Sequence, residues 1–333
     1  MTIKDIAKEC GCGIGTVSRV LNNHPDVSEE TRAKVMAVVD KYGFVLNKNA
    51  SQLKSQDRKT IVILVKGTSN PLLNELLSFI MRRLEPLQYL SSVIVLDEYD
   101  NEAMIANRVY YEEKPLGIIF LGGSPDRYGD DFAKIQIPCV LISTEAQHIV
   151  NTHLSSISTD NVKAAEYSAE YLIKNGHKKI GVIGGELEHA AIAEKRYEGF
   201  LNAMKRNELI FDEKAYCVSK YSFEGGAVAA EKLIRAFPDL TAIFTMSDAM
   251  AIGACRRLKE LGYSVPEDIS VVGFDGLDYA DYYTPRIATV VQSARELADG
   301  GLDMLLNCIE RNAAATHELV SFSFREGESV RKI

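Results

Sequence analysis

The sequence lacks the features of a disulfide-stabilised, secreted or membrane-spanning protein. Its six cysteines are scattered over 333 residues and form no disulfide framework. No apolar run reaches the ~20 residues of a transmembrane helix. Charged residues interrupt the first ten positions, so we expect no secretory signal and a cytoplasmic location. Cys10 and Cys12 are close in sequence, but no second ligand pair lies nearby, so we expect no metal site.

Catalytic and cofactor motifs are missing as well. The sequence contains no G-x-S-x-G, Walker or H-E-x-x-H pattern, and its six histidines are dispersed. We therefore expect neither an enzyme nor a bound cofactor. The glycine pairs at 122–123 and 184–185 end predicted strands without a phosphate-loop pattern, so they predict tight turns.

Positive charge is scarce overall but concentrated at one end of the chain. The formal net charge is −8, yet residues 1–59 carry ten basic and seven acidic residues, a net of +3. The remaining residues therefore carry −11. A basic amino-terminal segment on an acidic body keeps phosphate attraction local to that segment.

The first 46 residues predict three short helices joined by tight turns. Ser28 is a favourable N-cap for the third helix. In the second helix, the spacing of Val17, Val20 and Leu21 gives one apolar face. The opposite face can then lie in a DNA major groove, the alternative being a helical cap packed on an enzyme. The outward residues of the second helix are Thr16, Ser18, Arg19 and Asn22.

The strings IKDIAKECGCGIGTVSRVLN, VSEETRAKV and GFVLNKNASQL resemble the DNA-binding head of the lactose/galactose repressor (LacI/GalR) family. The resemblance implies a helix-turn-helix over 1–46 in which Arg19 and Ile14 contact bases. Arginine can form a bidentate contact to guanine, and an apolar side chain can touch a thymine methyl. Gly15 departs from the family by offering no side chain to a base. The residues implied to contact phosphate are Thr16, Ser18 and Asn22.

Residues 47–59 resemble the hinge helix and linker of the same family. Leu53 stands where the family inserts a leucine into the minor groove, which unstacks and bends the DNA. Leu46 replaces the usual proline, and Asn49 replaces a small apolar residue, so the stiffness of this hinge departs from the family pattern.

From Thr60 onward, apolar runs of strand length alternate with helical segments. TIVILV, GIIFLG, KIGVIGG and ISVVGF are examples, and helices are predicted over 161–175, 195–207, 223–237 and 249–261. Strands buried on both faces with helices between them predict parallel sheets. Because there are too many strands for one compact sheet, we expect two doubly wound α/β lobes with a ligand cleft between them.

The body also resembles the family, which implies the fold of periplasmic sugar-binding proteins. Strings such as AIFTMSDAMAIGACRRLKELGYSVPEDISVVGFD carry the resemblance. It implies that lobe 1 comprises about 60–159 and 290–320, and lobe 2 about 160–289 and 321–333.

The resemblance also implies an effector site in that cleft. Arg196 matches an arginine that grips the effector, and Asp275 matches an effector-binding acid. An arginine facing a carboxylate suits vicinal hydroxyls or a carboxylate-bearing ligand, although the pair could instead be an interlobe salt bridge. The further implied wall residues are Ser143, Tyr221, Ser247 and Gln292.

Together these features predict a DNA-binding transcriptional regulator, and we expect it to act as a repressor. It would bind a pseudopalindromic operator as a homodimer through lobe 1 and respond to a small sugar-like effector. No leucine heptads follow FSFREGESVRKI, so we expect no tetramerising coiled coil. The alternatives are a solute-binding protein of a transport system and a sugar-processing enzyme, and a protein corepressor in place of a small effector stays open.

Overall fold

The structure, a computed structural model, describes residues 3–21, 24, 27–42, 59–67, 70–149, 151–188 and 191–333. The chain divides into two units, Met1–Arg58 and Lys59–Ile333. Asn22, Leu53 and the predicted hinge over 47–58 lie outside the described residues.

The amino-terminal unit contains helices α1 (Ile3–Cys10), α2 (Ile14–Leu21) and α3 (Glu29–Tyr42). Ser28 caps α3 as predicted, because its hydroxyl accepts a hydrogen bond from the Thr31 amide at 3.3 Å. All three helices contribute to one small core, which consists of Ile6, Ala7, Cys10, Val17, Val20, Val35 and Val39.

The second unit contains two six-stranded sheets, which define lobe 1 and lobe 2. The strands of lobe 1 are β1 (Thr60–Lys66), β2 (Leu90–Leu96), β3 (Gly117–Leu121), β4 (Cys139–Ile142), β5 (Leu154–Thr159) and β11 (His317–Val320). Their order across the sheet is β11-β5-β4-β3-β1-β2, and every pairing is parallel.

Helices cover the sheet of lobe 1 on both faces, as doubly wound folds require. One core cluster lies on each face: the first includes Leu76 and Leu302, and the second includes Ala106 and Phe132. The helices are α4 (Pro71–Leu84), α5 (Glu102–Glu113), α6 (Gly129–Ala133) and α12 (Ala294–Arg311), with short 3₁₀ helices at Glu85–Leu87 and Pro125–Arg127.

Lobe 2 repeats this architecture with one antiparallel edge strand. Its strands are β6 (Ile180–Gly184), β7 (Tyr216–Val218), β8 (Ala242–Thr245), β9 (Ser270–Asp275), β10 (Ala288–Gln292) and β12 (Phe322–Arg325). Their order is β12-β10-β9-β8-β6-β7, and β12 pairs antiparallel with β10. The helices are α7 (Asn161–Lys174), α8 (Ala191–Arg206), α9 (Phe223–Ala236), α10 (Asp248–Glu260) and α11 (Asp278–Tyr282), with a 3₁₀ helix at Glu213–Ala215.

The chain passes between the lobes after Thr159, after Gln292 and after Val320. The predicted fold class, a helical head followed by two parallel-sheet α/β lobes, is confirmed. In each lobe the parallel strands bring their carboxyl ends to one edge of the sheet, which is where ligands bind in open α/β folds.

Candidate functional site

Helix α2 presents the predicted DNA-contacting residues on its outer face. Val17 and Val20 are buried against the other two helices. Gly15 and Arg19 are exposed, and Ile14, a large apolar side chain, is 49% exposed. An exposed isoleucine at the start of a helix is available for an apolar contact with a base. The predicted phosphate contacts Thr16 and Ser18 are half-buried at the edge of this face.

A cavity of about 130 Å³ lies between the two lobes, room for a small molecule rather than a single water. Its walls are formed mainly by residues that follow strands. From lobe 1 they include Lys66 at the end of β1, Gly67 after it, Glu98 after β2, Gly122 to Ser124 after β3 and Ser143 after β4. From lobe 2 they include Gly185 after β6, Ser219 and Tyr221 after β7, Asp275 at the end of β9 and Arg196 on α8.

Four of the six predicted effector residues, Ser143, Arg196, Tyr221 and Asp275, line this cavity. Ser247 and Gln292, also expected at the effector, are not among the residues that line it. The Ser247 hydroxyl caps α10 by accepting a hydrogen bond from the Met250 amide at 3.2 Å. The Gln292 amide donates to Asp275 Oδ1 at 2.8 Å, so it holds a wall residue in place.

Arg196 is buried and held on several sides within lobe 2. Its Nε donates to Asn161 Oδ1 at 2.9 Å, and its Nη1 donates to the Met246 carbonyl. The guanidinium lies 3.6 Å from the centroid of the Phe274 ring, a cation–π contact. Its Nη2 lies 3.7 Å from Asp275 Oδ1. Both partners belong to lobe 2, so the alternative of an interlobe salt bridge is wrong.

Two buried aspartates lie close to this arginine. Burial raises the pKa of Asp275, while Arg196 and the Gln292 amide act in the opposite direction. Burial also raises the pKa of Asp248, and repulsion from Asp275 raises it further. Asp248 accepts hydrogen bonds from the Thr289 hydroxyl at 2.6 Å and from the Leu277 amide at 2.7 Å. The pair therefore titrates as a unit beside one cation.

Three cavity-lining residues each carry a buried oxygen without a hydrogen-bond partner: Ser143 Oγ, Tyr221 Oη and Asp275 Oδ2. Leaving such a group unpaired costs about 1–3 kcal/mol. Ser143 and Asp275 also have positive φ angles, 77° and 125°, in a region that non-glycine residues rarely adopt. Unsatisfied and strained groups gathered at one cavity indicate a site that a hydroxyl-bearing ligand completes.

Lobe 1 contains a buried ion pair that the sequence analysis did not predict. Lys66 Nζ lies 2.5 Å from Glu102 Oε2, and the two side chains are 9% and 4% exposed. Glu102 Oε1 accepts a hydrogen bond from the Ser124 amide at 2.6 Å. Lys66 directly follows the predicted strand TIVILV, and residues at the carboxyl ends of parallel strands face the cleft, so its position in the sequence could have identified it.

Glu98, at the cleft edge of lobe 1, was missed too. Burial raises its pKa, and Lys220 together with the Tyr221 amide of lobe 2 acts in the opposite direction. Glu98 therefore faces lobe 2 across the cavity.

Among the described residues, no three or more histidine, cysteine, aspartate or glutamate side chains are grouped so as to hold a metal ion. The six cysteines are free thiols. In the part of the chain that the structure describes, no helix combines the length and apolar character needed to cross a membrane.

Each of the two units matches a known protein family. Residues 2–47 match the family model of bacterial regulatory proteins of the lacI family, and residues 169–330 match a periplasmic binding protein-like domain. The chain is 34% identical over 342 aligned residues to the HTH-type transcriptional regulator MalR of Clostridium butyricum, covering 99% of each protein. The match at the amino-terminal unit favours a regulator over the solute-binding alternative.

Solved structures share the fold. A lac repressor dimer bound to operator and the anti-inducer ONPF superposes with a TM-score of 0.78 at 24% identity, covering 99% of each chain. A LacI family transcriptional regulator of Enterococcus faecium with bound ribose gives a TM-score of 0.71 at 23% identity, covering 83% of this chain and 100% of that one. With a regulator-type head, a two-lobed body and a relative this similar over its full length, the chain belongs to the LacI family of bacterial transcriptional regulators.

Proposed function

We propose that the protein is a dimeric repressor that binds a pseudopalindromic operator through α2 and changes its DNA affinity when a small sugar-like effector fills the interlobe cavity. The observation that carries the effector is the set of unpartnered oxygens on Ser143, Tyr221 and Asp275. Hydroxyl groups of a sugar can donate to and accept from these oxygens. The bound ribose of the E. faecium regulator supports the same class of ligand.

The coupling between the two sites follows from differential affinity. An effector that contacts residues of both lobes binds best to one arrangement of the lobes. It can then change DNA affinity only by the ratio of its affinities for the two arrangements. The protein acts by binding without turnover, and it works in the cytoplasm, where the operator is.

A dimer supplies the two heads that a pseudopalindrome requires. Phe223, Tyr279 and Tyr282 form an exposed aromatic patch on lobe 2, with the first two rings in edge-to-face contact. On lobe 1, the edge strand β2 exposes Val93 and Val95 on one side. Aromatic side chains are enriched in interfaces, and the interfaces of homodimers are more apolar than the rest of the surface.

Selection of DNA from a random pool, followed by gel shifts at about 0.1 M salt, tests the proposal. We expect one enriched sequence with two half-sites. Arg19→Ala should weaken its binding roughly 5- to 150-fold, equivalent to about 1–3 kcal/mol for the loss of a bidentate base contact.

Arg108→Ala is the matched control, because it removes the same charge from an exposed position of α5 in the body. It should leave binding within about twofold of wild type. A pool without any enriched sequence would sink the proposal.

A further inference from the structure

The charged side chains around the interlobe cavity indicate which chemical class of effector it can bind. This inference rests on the proposed function, in which the cavity is the effector site. We infer that the effector is an uncharged polyhydroxyl compound, and that the cavity rejects its phosphorylated or carboxylated counterparts. The argument depends on how each cation of the cavity is already paired.

Among the residues that the structure describes, Lys66 is one of two cationic side chains that line the cavity. Its ammonium group is 2.5 Å from Glu102 Oε2, and both side chains are almost completely buried. The other Glu102 oxygen is fixed by the Ser124 amide at 2.6 Å. A ligand phosphate near Lys66 would have to share its single positive charge with Glu102, and drawing the ammonium group away from Glu102 would leave a buried charge unpaired.

Arg196 is the second cation of the cavity wall. Its Nη1 and Nε are used by the Met246 carbonyl and by Asn161, so they do not form an open fork for a carboxylate or phosphate. Its third nitrogen, Nη2, lies 3.7 Å from Asp275 Oδ1. An anionic ligand that approached Nη2 would therefore have to compete with this carboxyl group for the guanidinium.

Two further acids, Glu98 and Glu186, are among the described residues that line the cavity. Glu98 is half-buried, and the cations that act on it are Lys220, an exposed side chain lying over the Tyr99 ring, and Lys66, which is already paired with Glu102. Glu186 lines the lobe 2 wall. The cavity therefore carries an excess of acceptors, which sugar hydroxyls can satisfy as donors, whereas a phosphate brings about −1.5 to −2 additional charges.

The test uses full-length protein and matched pairs of probes in thermal-shift assays, with calorimetry on every probe that shifts the midpoint. The pairs are ribose with ribose 5-phosphate, glucose with glucose 6-phosphate, and glucose with glucuronate, and maltose and cellobiose extend the neutral set. A ligand that binds the native state raises the melting temperature.

We expect at least one neutral sugar to raise the midpoint and its anionic counterpart to bind at least tenfold more weakly. An anionic probe that binds as tightly as its neutral parent overturns the inference, and so does a panel in which no neutral sugar binds. Gel shifts on the same preparation separate the two ideas, since failure to bind any DNA would instead overturn the proposed function.

Glu102→Gln should increase the affinity of the cavity for anionic sugars, because it removes the negative charge that is paired with the Lys66 ammonium group. We expect the ratio of neutral to anionic affinity to fall at least tenfold. Glu98→Gln, at a half-buried position that tolerates change more readily, should move the ratio in the same direction by a smaller factor.

Glu112→Gln, at an exposed position of α5, is the matched control and should leave the ratio unchanged. A ratio that stays at the wild-type value in the folded Glu98 and Glu102 variants would contradict the role of these charges.

Discussion

Asp248 is a completely buried acid whose environment disfavours its ionised form. Its two oxygens accept hydrogen bonds from the Leu277 amide and the Thr289 hydroxyl, which hold the turn after β9 and strand β10 against α10. Burial nevertheless disfavours the ionised form, and the neighbouring Asp275 adds repulsion, so the pKa of Asp248 is raised. This raised pKa makes the stability of the body depend on pH.

In the unfolded chain Asp248 ionises in the ordinary acid range, whereas in the folded protein it holds its proton to higher pH. Its stabilising contribution is therefore complete below the ordinary pKa and is lost as pH rises through the folded pKa. We expect the free energy of unfolding to fall between pH 5 and 8 by at most ~1.4 kcal/mol per pH unit from this group. Urea unfolding of Asp248→Asn over that range should show a shallower fall than wild type.

Asp130→Asn makes the same chemical change at an exposed position of α6 and should follow the wild-type pH profile. Parallel profiles for wild type and Asp248→Asn would contradict a raised pKa at this site.

At the residue scale, the family resemblance implied Ser143 and Asp275 as effector residues, and both line the cavity. They follow apolar runs whose carboxyl ends face the cleft, so their strand-end positions agree with that expectation. Ser247 also follows such a run, but its hydroxyl turns to the end of α10. That choice, like the pairing of Lys66 with Glu102 36 residues away, depends on tertiary packing that a sequence pattern does not encode.

At the element scale, the helix pairs of lobe 2 pack closely because glycines lie between them. A Cβ at Gly199 of α8 would overlap the Val162 carbonyl oxygen of α7, and one at Gly253 of α10 would overlap the Phe223 carbonyl oxygen of α9. The backbone approach of each pair therefore depends on the absence of a side chain at one position.

Gly199→Ala should destabilise the body, because the added methyl must push α7 and α8 apart. Overpacking of this kind costs about 1–3 kcal/mol, and chemical denaturation followed by circular dichroism measures it.

Gly15→Ala is the matched control, since α2 leaves nothing within 4 Å of the added Cβ. Removing a glycine from the helix should stabilise the head by up to ~1 kcal/mol. Equal stability of Gly199→Ala and wild type would show that α7 and α8 separate without penalty.

The strands that sequence reasoning missed are polar or short. β5 reads LSSIST, and all six residues are buried. Its serines are tolerated because they are hydrogen-bonded: Ser158 donates to the Ser143 carbonyl at 3.1 Å, and Ser156 pairs with His317 Nδ1 at 2.8 Å. The latter contact ties β5 to β11, a four-residue edge strand whose place in the sheet comes from a chain crossing rather than from an apolar run.

At the scale of the whole molecule, the exposed apolar patches of the two lobes give the proposed dimer its candidate contacts. Sequence reasoning expected the dimer through lobe 1, where Val93 and Val95 lie on the exposed edge strand. The patch on lobe 2, with Tyr279 and Tyr282, extends that expectation. A stable dimer buries about 800 Å² on each partner, more than one short strand edge provides, so an interface that includes both lobes fits the size requirement better.

Tyr282→Asp tests this extension, because Tyr282 is 87% exposed and lies three residues after Tyr279 on α11, so its replacement puts a charge beside the lobe 2 patch. We expect the mass from analytical ultracentrifugation to fall from dimer toward monomer at micromolar concentration, with operator affinity falling alongside. Ile210→Asp is the control, since Ile210 is 96% exposed and lies outside both patches, and it should remain dimeric. If Tyr282→Asp stays dimeric while Val95→Asp becomes monomeric, the interface is confined to lobe 1. The two heads are then set at operator spacing by lobe 1 alone.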